Sequence, residues 1–300
     1  MVKSVELFGG SNISEGSKKT YTSKLKKLNN NKIPTDLNFL KDTKSVLEQI
    51  EKIPNPNTRR SSLIAVVSVL KDNKKYKKEF DVYHTEMMKL NAILNKTSHK
   101  SEATKEKQEK VSMDEILAVQ KELETILPII KSKRKITDDQ LKQLHDLVIT
   151  SIYTLLPPRR NLDYSEMVIG IPTDDKTKNY YNKDQFIFNT YKTAGIDQNH
   201  KQQIVEVPKK LQDILKIWIK LKPKDNEYLL VKLPSNEEYK VTDMTALLKK
   251  VFKNEAMGVS VLRNIFLSDK YSDAMKDLKE DVENMGSSVG VALGTYIKKE

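Results

Sequence analysis

The 300-residue chain is 38% hydrophobic and 31% charged, enough to bury a core in one large domain or two ordinary ones. Its longest apolar run, Leu63 to Val67, is far below the ~18–20 residues that span a bilayer. No basic segment followed by an apolar one opens the chain, so an intracellular protein without membrane contact is expected. With no cysteine, disulfides, thiolate metal sites and cysteine nucleophiles are excluded. The 53 basic and 41 acidic side chains leave +12, and residues 1–100 hold 20 basic against 10 acidic ones. That first third reads as a polyanion-binding surface, and nucleic acid is the first partner to consider.

Residues 1–17, rich in Gly, Ser and Asn, are expected to be a flexible tail. From Lys18 the stripe Tyr21, Leu25, Leu28 predicts a short amphipathic helix. A second is expected from Thr35-Asp36 through Leu40, Leu47 and Ile50, broken by Pro54 and Pro56. A third runs from Thr58 to Leu70, and a fourth carries Phe80, Tyr83, Met87, Leu90 and Leu94. These four form a helical bundle over 18–95. Residues 96–110 have linker composition, and a second domain spans 111–300.

Two capping boxes open that domain, Ser112 with Glu115 and Thr137 with Gln140, each ahead of a helical stripe. Met167–Ile171, Gln185–Tyr191 and Gln203–Val207 read as short strands. Helices are expected again at Leu211–Leu221, Val241–Lys253, Val261–Tyr271 and Ser288–Ile297.

Common chemical signatures fail. There is no GxxxxGK[ST] loop, HExxH, EF-hand loop or GxSxG, and none of His84, His99, His145 and His200 falls in the last hundred residues. Gly286, Gly290 and Gly294 read as a small-residue face for close helix packing. Lys131–Lys135 reads equally as a targeting patch, a DNA-facing loop or a solvated one.

One constellation remains: LLPPRRNLDY (155–164), FIFNTYKT (186–193), SVLRNIF (260–266) and MGSSVGVALGTYIKK (285–299). Its order of Arg, Lys, Arg and Tyr resembles the catalytic domain of tyrosine recombinases, the phage-integrase family. The likeness runs over 111–300 and, more weakly, over 18–95. Its PPRR-x-x-D-Y and YKT forms are similar to members from large eukaryotic DNA viruses and mobile elements. The resemblance implies a fold that is mainly α with a small antiparallel β-sheet, a helical core-binding bundle joined to a catalytic domain. It implies site-specific cleavage and rejoining of double-stranded DNA through a 3′-phosphotyrosyl intermediate, with no cofactor and no metal. Tyr296 would be the nucleophile, Arg160 and Arg263 the phosphate clamp, and Lys192 the acid for the leaving oxygen. Arg160 precedes Asp163 by the family's spacing, and Asp163 would orient it or the nearby backbone. Arg159 would contact DNA. In the first domain Arg59, Arg60, Lys24, Lys27, Lys77 and Lys78 would grip the backbone. Self-assembly on DNA, dimer to tetramer, follows from the family, with a monomer or weak dimer off DNA.

The chemistry suits these residue types. A planar, permanently charged guanidinium matches a pair of phosphate oxygens. A lysine can protonate a leaving alkoxide, and a phenol near cations can attack. Two positions depart from the family pattern. Ser260 and Ser287 stand where it carries His or Lys and His or Trp, and both are expected to cap helices. Three readings stay open: a recombinase, a type IB topoisomerase-like enzyme, and a catalytically attenuated DNA-binding protein derived from a recombinase. Nucleus and virus-replication compartment both stay open.

Overall fold

A computed structural model describes residues 6–8, 13–96, 111–194 and 202–297. The chain divides into two compact units, Met1–Ser101 and Glu102–Glu300. Of the expected linker 96–110, all but Lys96 lies outside the described residues.

The first unit contains helices α1 (Glu15–Leu28), α2 (Thr43–Glu51), α3 (Pro56–Leu70) and α4 (Lys77–Lys96). Helix α1 starts three residues earlier than the stripe predicts, because the Ser14 hydroxyl accepts the Ser17 amide at 3.3 Å. Nor is the described part of the expected tail loose. Glu6–Phe8 forms a 3₁₀ turn, and the buried Phe8 ring lies 6.2 Å from that of Tyr21. The expected second helix is split, since Asp42 caps α2 by accepting the Ser45 amide and Asn38–Lys41 forms a separate 3₁₀ turn. Asn55 caps α3 with Pro56 at its first position, where the missing N–H costs nothing. The longest apolar run of the sequence lies in α3, and its Leu63, Ala65, Val66 and Val67 join the core with Leu25, Leu40, Ile50 and Tyr83. The buried Tyr83 hydroxyl donates to the Leu40 carbonyl at 2.9 Å.

In the second unit, α5 (Met113–Glu124), α6 (Ile126–Ser132) and α7 (Asp138–Thr154) come first. Both capping boxes form: Ser112 and Thr137 hydroxyls accept the Glu115 and Gln140 amides, and those side chains accept the cap amides in return. Helix α7 is the spine of the core. Its Leu144, Leu147, Val148, Ile149 and Ile152 are fully buried, and burial of each such side chain contributes about 1.5–3 kcal/mol. Then come α8 (Asn161–Ser165), β1 (Val168–Ile169), β2 (Tyr180–Asn182), β3 (Gln185–Phe188), β4 (Gln203–Glu206), α9 (Lys209–Leu221), α10 (Val241–Val251) and α11 (Val259–Asn284). A single turn, α12 (Val289–Val291), leads into a π turn at Ala292–Tyr296.

The fold is mainly α with one small sheet, as expected, but the sheet is mixed rather than antiparallel. Strands β2–β3 and β3–β4 pair antiparallel, whereas β1 pairs parallel to β2. Strand β2 was not legible as an element because its three residues sit in a polar run. It exists because Tyr180 and Tyr181 are buried across from Ile187 and Phe186. No helix among the described residues is long and apolar enough to cross a membrane.

Candidate phosphate-binding site

The turn after α7 sets up the site. Pro157 and Pro158 end the helical run and deliver two consecutive arginines, the second of which is the residue ahead of α8. Buried hydrogen bonds fix this corner: Tyr153 Oη donates to Asn161 Oδ1 at 2.8 Å, and Asn161 Nδ2 donates to Thr245 Oγ1 at 3.0 Å. Helices α7, α8 and α10 are thereby tied at one point.

Asp163, in α8, is 3% exposed. One carboxylate oxygen accepts from Arg159 Nε at 2.8 Å; the other, Oδ1, is buried with no hydrogen-bond partner among the described residues. Burial pushes the carboxyl pKa up, while the positive charges of Arg159, Arg160 and Arg263 pull it down. Three guanidiniums from two separate segments thus act on one carboxylate. Even with Asp163 ionised, the cluster keeps an excess of positive charge, which is what a phosphodiester requires.

The arginines are not equivalent. Arg159 is engaged: its guanidinium also donates to Gln203 Oε1 at 2.8 Å and stacks 3.8 Å over the Phe188 ring, with Tyr191 at 5.7 Å. Arg160 and Arg263 are half-buried, and neither side chain makes a hydrogen bond or ion pair among the described residues. This corrects the expectation for Asp163, whose direct partner is Arg159 and not Arg160. Arg159 holds the carboxylate in place, and Arg160 keeps its donors for something else. Arg263 sits in the second turn of α11, because that helix begins at Val259.

Asn179 is the residue that sequence reasoning missed. It is 4% exposed. Its amide nitrogen donates to the Asp163 and Thr190 carbonyls at 3.0 and 2.9 Å, and its oxygen accepts the Asn189 and Thr190 amides at 2.9 Å each. It fastens the arginine-bearing helix to the segment that leaves β3. Lys192 is exposed two residues further on, next in sequence to the Tyr191 ring that Arg159 faces. Asn179 in KTKNYYN (176–182) carries no motif, so nothing in the sequence could single it out.

Tyr296 is not brought to this cluster. From Arg263 to Asn284, α11 advances about 32 Å at 1.5 Å per residue, and Tyr296 follows at the far end, 57% exposed. No hydrogen bond or ring contact joins it to the arginines among the described residues. The expected helix at Ser288–Ile297 is only α12 and the π turn.

Both serine caps are misplaced by one or two residues. Gly258 is the residue ahead of α11, leaving Ser260 exposed inside it, and Ser288, not Ser287, caps α12 by accepting the Val291 amide. Ser287 instead completes a helix stop. Its amide donates to the Val282 carbonyl at 2.8 Å and that of Gly286 to Glu283 at 3.0 Å, with Gly286 at φ +67. That is a Schellman motif, which favours glycine at its left-handed position. The small-residue reading of this run fails: a Cβ on Gly294 meets nothing within 4 Å, and one on Gly290 meets only the Ser288 hydroxyl at 4.0 Å.

In the first unit, Lys24 and Lys27 line a crevice with Ile53, Thr58 and Ser62, between α1 and α3. Arg60 is half-buried beside it in sequence. Arg59 is occupied, donating to the Ile53 and Pro54 carbonyls at 2.6 and 3.2 Å; it holds the turn ahead of α3. Lys77 pairs with Asp81 and Lys78 is exposed. His145 is a core residue, its Nε2 3.4 Å from the Tyr239 hydroxyl and its ring against Trp218. No group of three or more metal-binding side chains occurs among the described residues.

Fold and site together describe a mainly helical protein with a cationic cluster built on a buried carboxylate. No protein-family model matches the chain, and no curated protein does. Among solved structures, the crystal structure of XerA recombinase is similar over 89% of this chain and 81% of that one, at 15% identity and a TM-score of 0.35.

Proposed function

We propose that this chain is a site-specific DNA recombinase of the tyrosine type, cleaving and rejoining double-stranded DNA. The observation that carries the reading is the convergence of Arg159, Arg160 and Arg263 on the single buried carboxylate of Asp163, tied through Asn179 to the segment that presents Lys192.

In this reading Arg160 and Arg263 hold the non-bridging oxygens of the scissile phosphate and stabilise its pentacovalent state. The Tyr296 phenolic oxygen forms the new P–O bond, its proton passing to solvent. The P–O5′ bond breaks, and Lys192 gives its proton to the departing 5′ oxygen. The 3′-phosphotyrosyl bond retains the energy of the broken linkage, so rejoining needs no nucleotide cofactor. Because α11 carries Tyr296 away from its own cluster, a catalytic assembly requires either movement of the C-terminal segment or a tyrosine from another copy. Ser260 and Ser287 offer no imidazole, and slow cleavage follows from that.

A nicked suicide duplex tests the proposal. A covalent protein–DNA adduct is expected with the unaltered chain and none with Tyr296→Phe. An adduct that survives Tyr296→Phe removes the nucleophile assignment. Absence of any adduct leaves a recombinase-derived DNA-binding protein, the reading that the serines and the position of Tyr296 favour. Relaxation of a supercoiled plasmid lacking any target site would instead indicate topoisomerase activity.

A further inference from the structure

One cleft of the second unit takes no part in the arginine site. It lies between the β2–β3 turn and α9, has a volume of ≈ 690 Å³ and counts Ile169 and Ile219 among its walls. Pockets that take small molecules enclose roughly 300–1,000 Å³. Strand β3 separates the cleft from the arginines. Gln185, beside the turn, and Phe188, whose ring Arg159 covers, are about 10 Å apart along the strand. Gly170 forms part of the wall with φ at +139, and a Cβ there would meet nothing within 4 Å. The backbone at that point is open to a ligand.

The polar groups of this cleft are of two kinds. Tyr181 lines it and is 3% exposed, yet its hydroxyl makes no hydrogen bond among the described residues and is not sealed in the core. A phenol so nearly buried needs a partner, and the cleft is where one can reach it. Burial and then the Asp184 carboxylate raise its pKa, which keeps it a donor. Asn182 beside it is half-buried, and its carboxamide is likewise unengaged among the described residues. Gln212 donates its side-chain N–H to the Val207 carbonyl at 2.8 Å, which leaves its oxygen as an acceptor. Such neutral groups suit the edge of a heterocyclic base, and a carboxamide pairs twofold with N6 and N7 of adenine.

The second kind is cationic. Lys183, Lys216 and Lys220 are exposed, and none pairs with a carboxylate among the described residues. Lys216 and Lys220 lie one turn apart on α9, about 6 Å along its axis, the span of two linked phosphates. Lys224 is set apart from them, since it follows the helix and its ammonium donates to the Ile219 carbonyl at 3.1 Å. The three remaining ammoniums outnumber the single carboxylate of Asp184 in the cleft, an excess that a polyphosphate neutralises.

We propose that this cleft is a nucleotide site, taking an adenine nucleoside 5′-phosphate with its base against Ile169 and Ile219 and its phosphates on Lys216 and Lys220. Asn182 and the Tyr181 hydroxyl bond the base edge, and Lys183 adds its charge from the turn. The phosphate backbone of an intact duplex does not reach a hydroxyl as buried as that of Tyr181. The shared chemistry is an unpaired nucleotide, either free or carried by a single strand. Bound there, it joins the β2–β3 turn to α9 and stabilises the sheet whose next strand leads to Lys192. The inference makes no use of strand cleavage and stands or falls without it.

Titration of the full-length chain into a fluorescent ADP, read by anisotropy, tests this. Unlabelled ADP is expected to displace the probe about tenfold more tightly than pyrophosphate or adenosine, because neither fragment uses both halves of the cleft. Asn182→Ala should weaken ADP about tenfold and leave pyrophosphate unchanged. Tyr181→Phe keeps the ring in the core and should weaken ADP about fivefold. Lys216→Glu with Lys220→Glu should abolish displacement by ADP and by pyrophosphate. Melting curves without ligand show that the variants are folded, and ADP should raise the melting temperature of the unaltered chain but not of the double-lysine variant. A single-stranded oligodeoxyadenylate, set against ADP as competitor, separates the two sources: whichever displaces the probe at the lower concentration is the ligand, and either supports the site. The proposal is overturned if pyrophosphate competes as well as ADP, since the lysines would then be a plain phosphate contact. It is also overturned if Asn182→Ala and Tyr181→Phe leave the ADP affinity unchanged, or if the probe shows no displaceable binding.

Discussion

Asn179 Nδ2 donates to the backbone carbonyl of Asp163 at 3.0 Å, and both residues are nearly fully buried. Through this bond the helix that carries the arginine cluster and the strand exit that carries Lys192 behave as one rigid part. Asn179→Ala removes five hydrogen bonds and leaves buried backbone groups unpaired, which costs about 2–4 kcal/mol. Urea unfolding should show that loss. Strand cleavage at a temperature where the variant is folded should fall further than the population of native protein, because the cluster and the lysine are no longer held in register.

Arg159 and Arg160 should separate cleanly. Arg159→Lys loses the Nε bond to Asp163, the bond to Gln203 and the stacking on Phe188, and unfolding free energy should drop by about 1–3 kcal/mol. Arg160→Ala should leave stability within about 0.5 kcal/mol while lowering covalent-adduct formation by about 10²-fold or more. The opposite pattern, a destabilising Arg160 change with adduct retained, would assign the phosphate to Arg159.

The Asp163 carboxyl is pushed above its ordinary value of 3.8 by burial, against the pull of three arginines. The native state therefore holds that proton more tightly than the unfolded chain. As pH rises from the ordinary carboxylate value through the raised native one, the native state loses the advantage of this proton. The unfolding free energy of the unaltered chain minus that of Asp163→Asn should fall across this window and level off above it. Denaturant titrations from acid to neutral pH measure the difference. A difference that rises with pH would mean that the Arg159 bond outweighs burial.

Gly286 and Gly294 should differ as a left-handed position differs from an open one. Gly286→Ala forces a Cβ onto φ +67 and should destabilise the end of α11 by about 1 kcal/mol. Gly294→Ala meets nothing within 4 Å and should be neutral or slightly stabilising. Thermal melts of both variants check this, and equal losses would revive a packing role for the glycine run.

Lys24, Lys27 and Arg60 are better probes of DNA binding than Arg59, which holds the turn ahead of its helix. Replacing each of the three by Ala should reduce the slope of log affinity against log salt by about 1 per residue, without sequence preference. An unchanged slope would mean that this crevice does not contact phosphate.

How much of this was legible in the sequence follows from the range of each interaction. Capping boxes at Ser112 and Thr137 and the core stripe of α7 depend on neighbours within four residues, and the sequence alone determined them. The unequal charge of the two parts and the order of Arg160, Lys192, Arg263 and Tyr296 were equally open to reading. The sheet was partly hidden, because β2 depends on Tyr180 and Tyr181 meeting residues across a hairpin rather than on its own pattern. Tertiary structure alone decided that Asp163 binds Arg159 rather than Arg160, that Asn179 joins two distant backbone segments, and that α11 runs on past the core and takes Tyr296 with it. Each of these turns on which groups burial leaves side by side. A buried carboxylate or amide takes whatever partner the packing supplies, and one-dimensional spacing does not contain that choice.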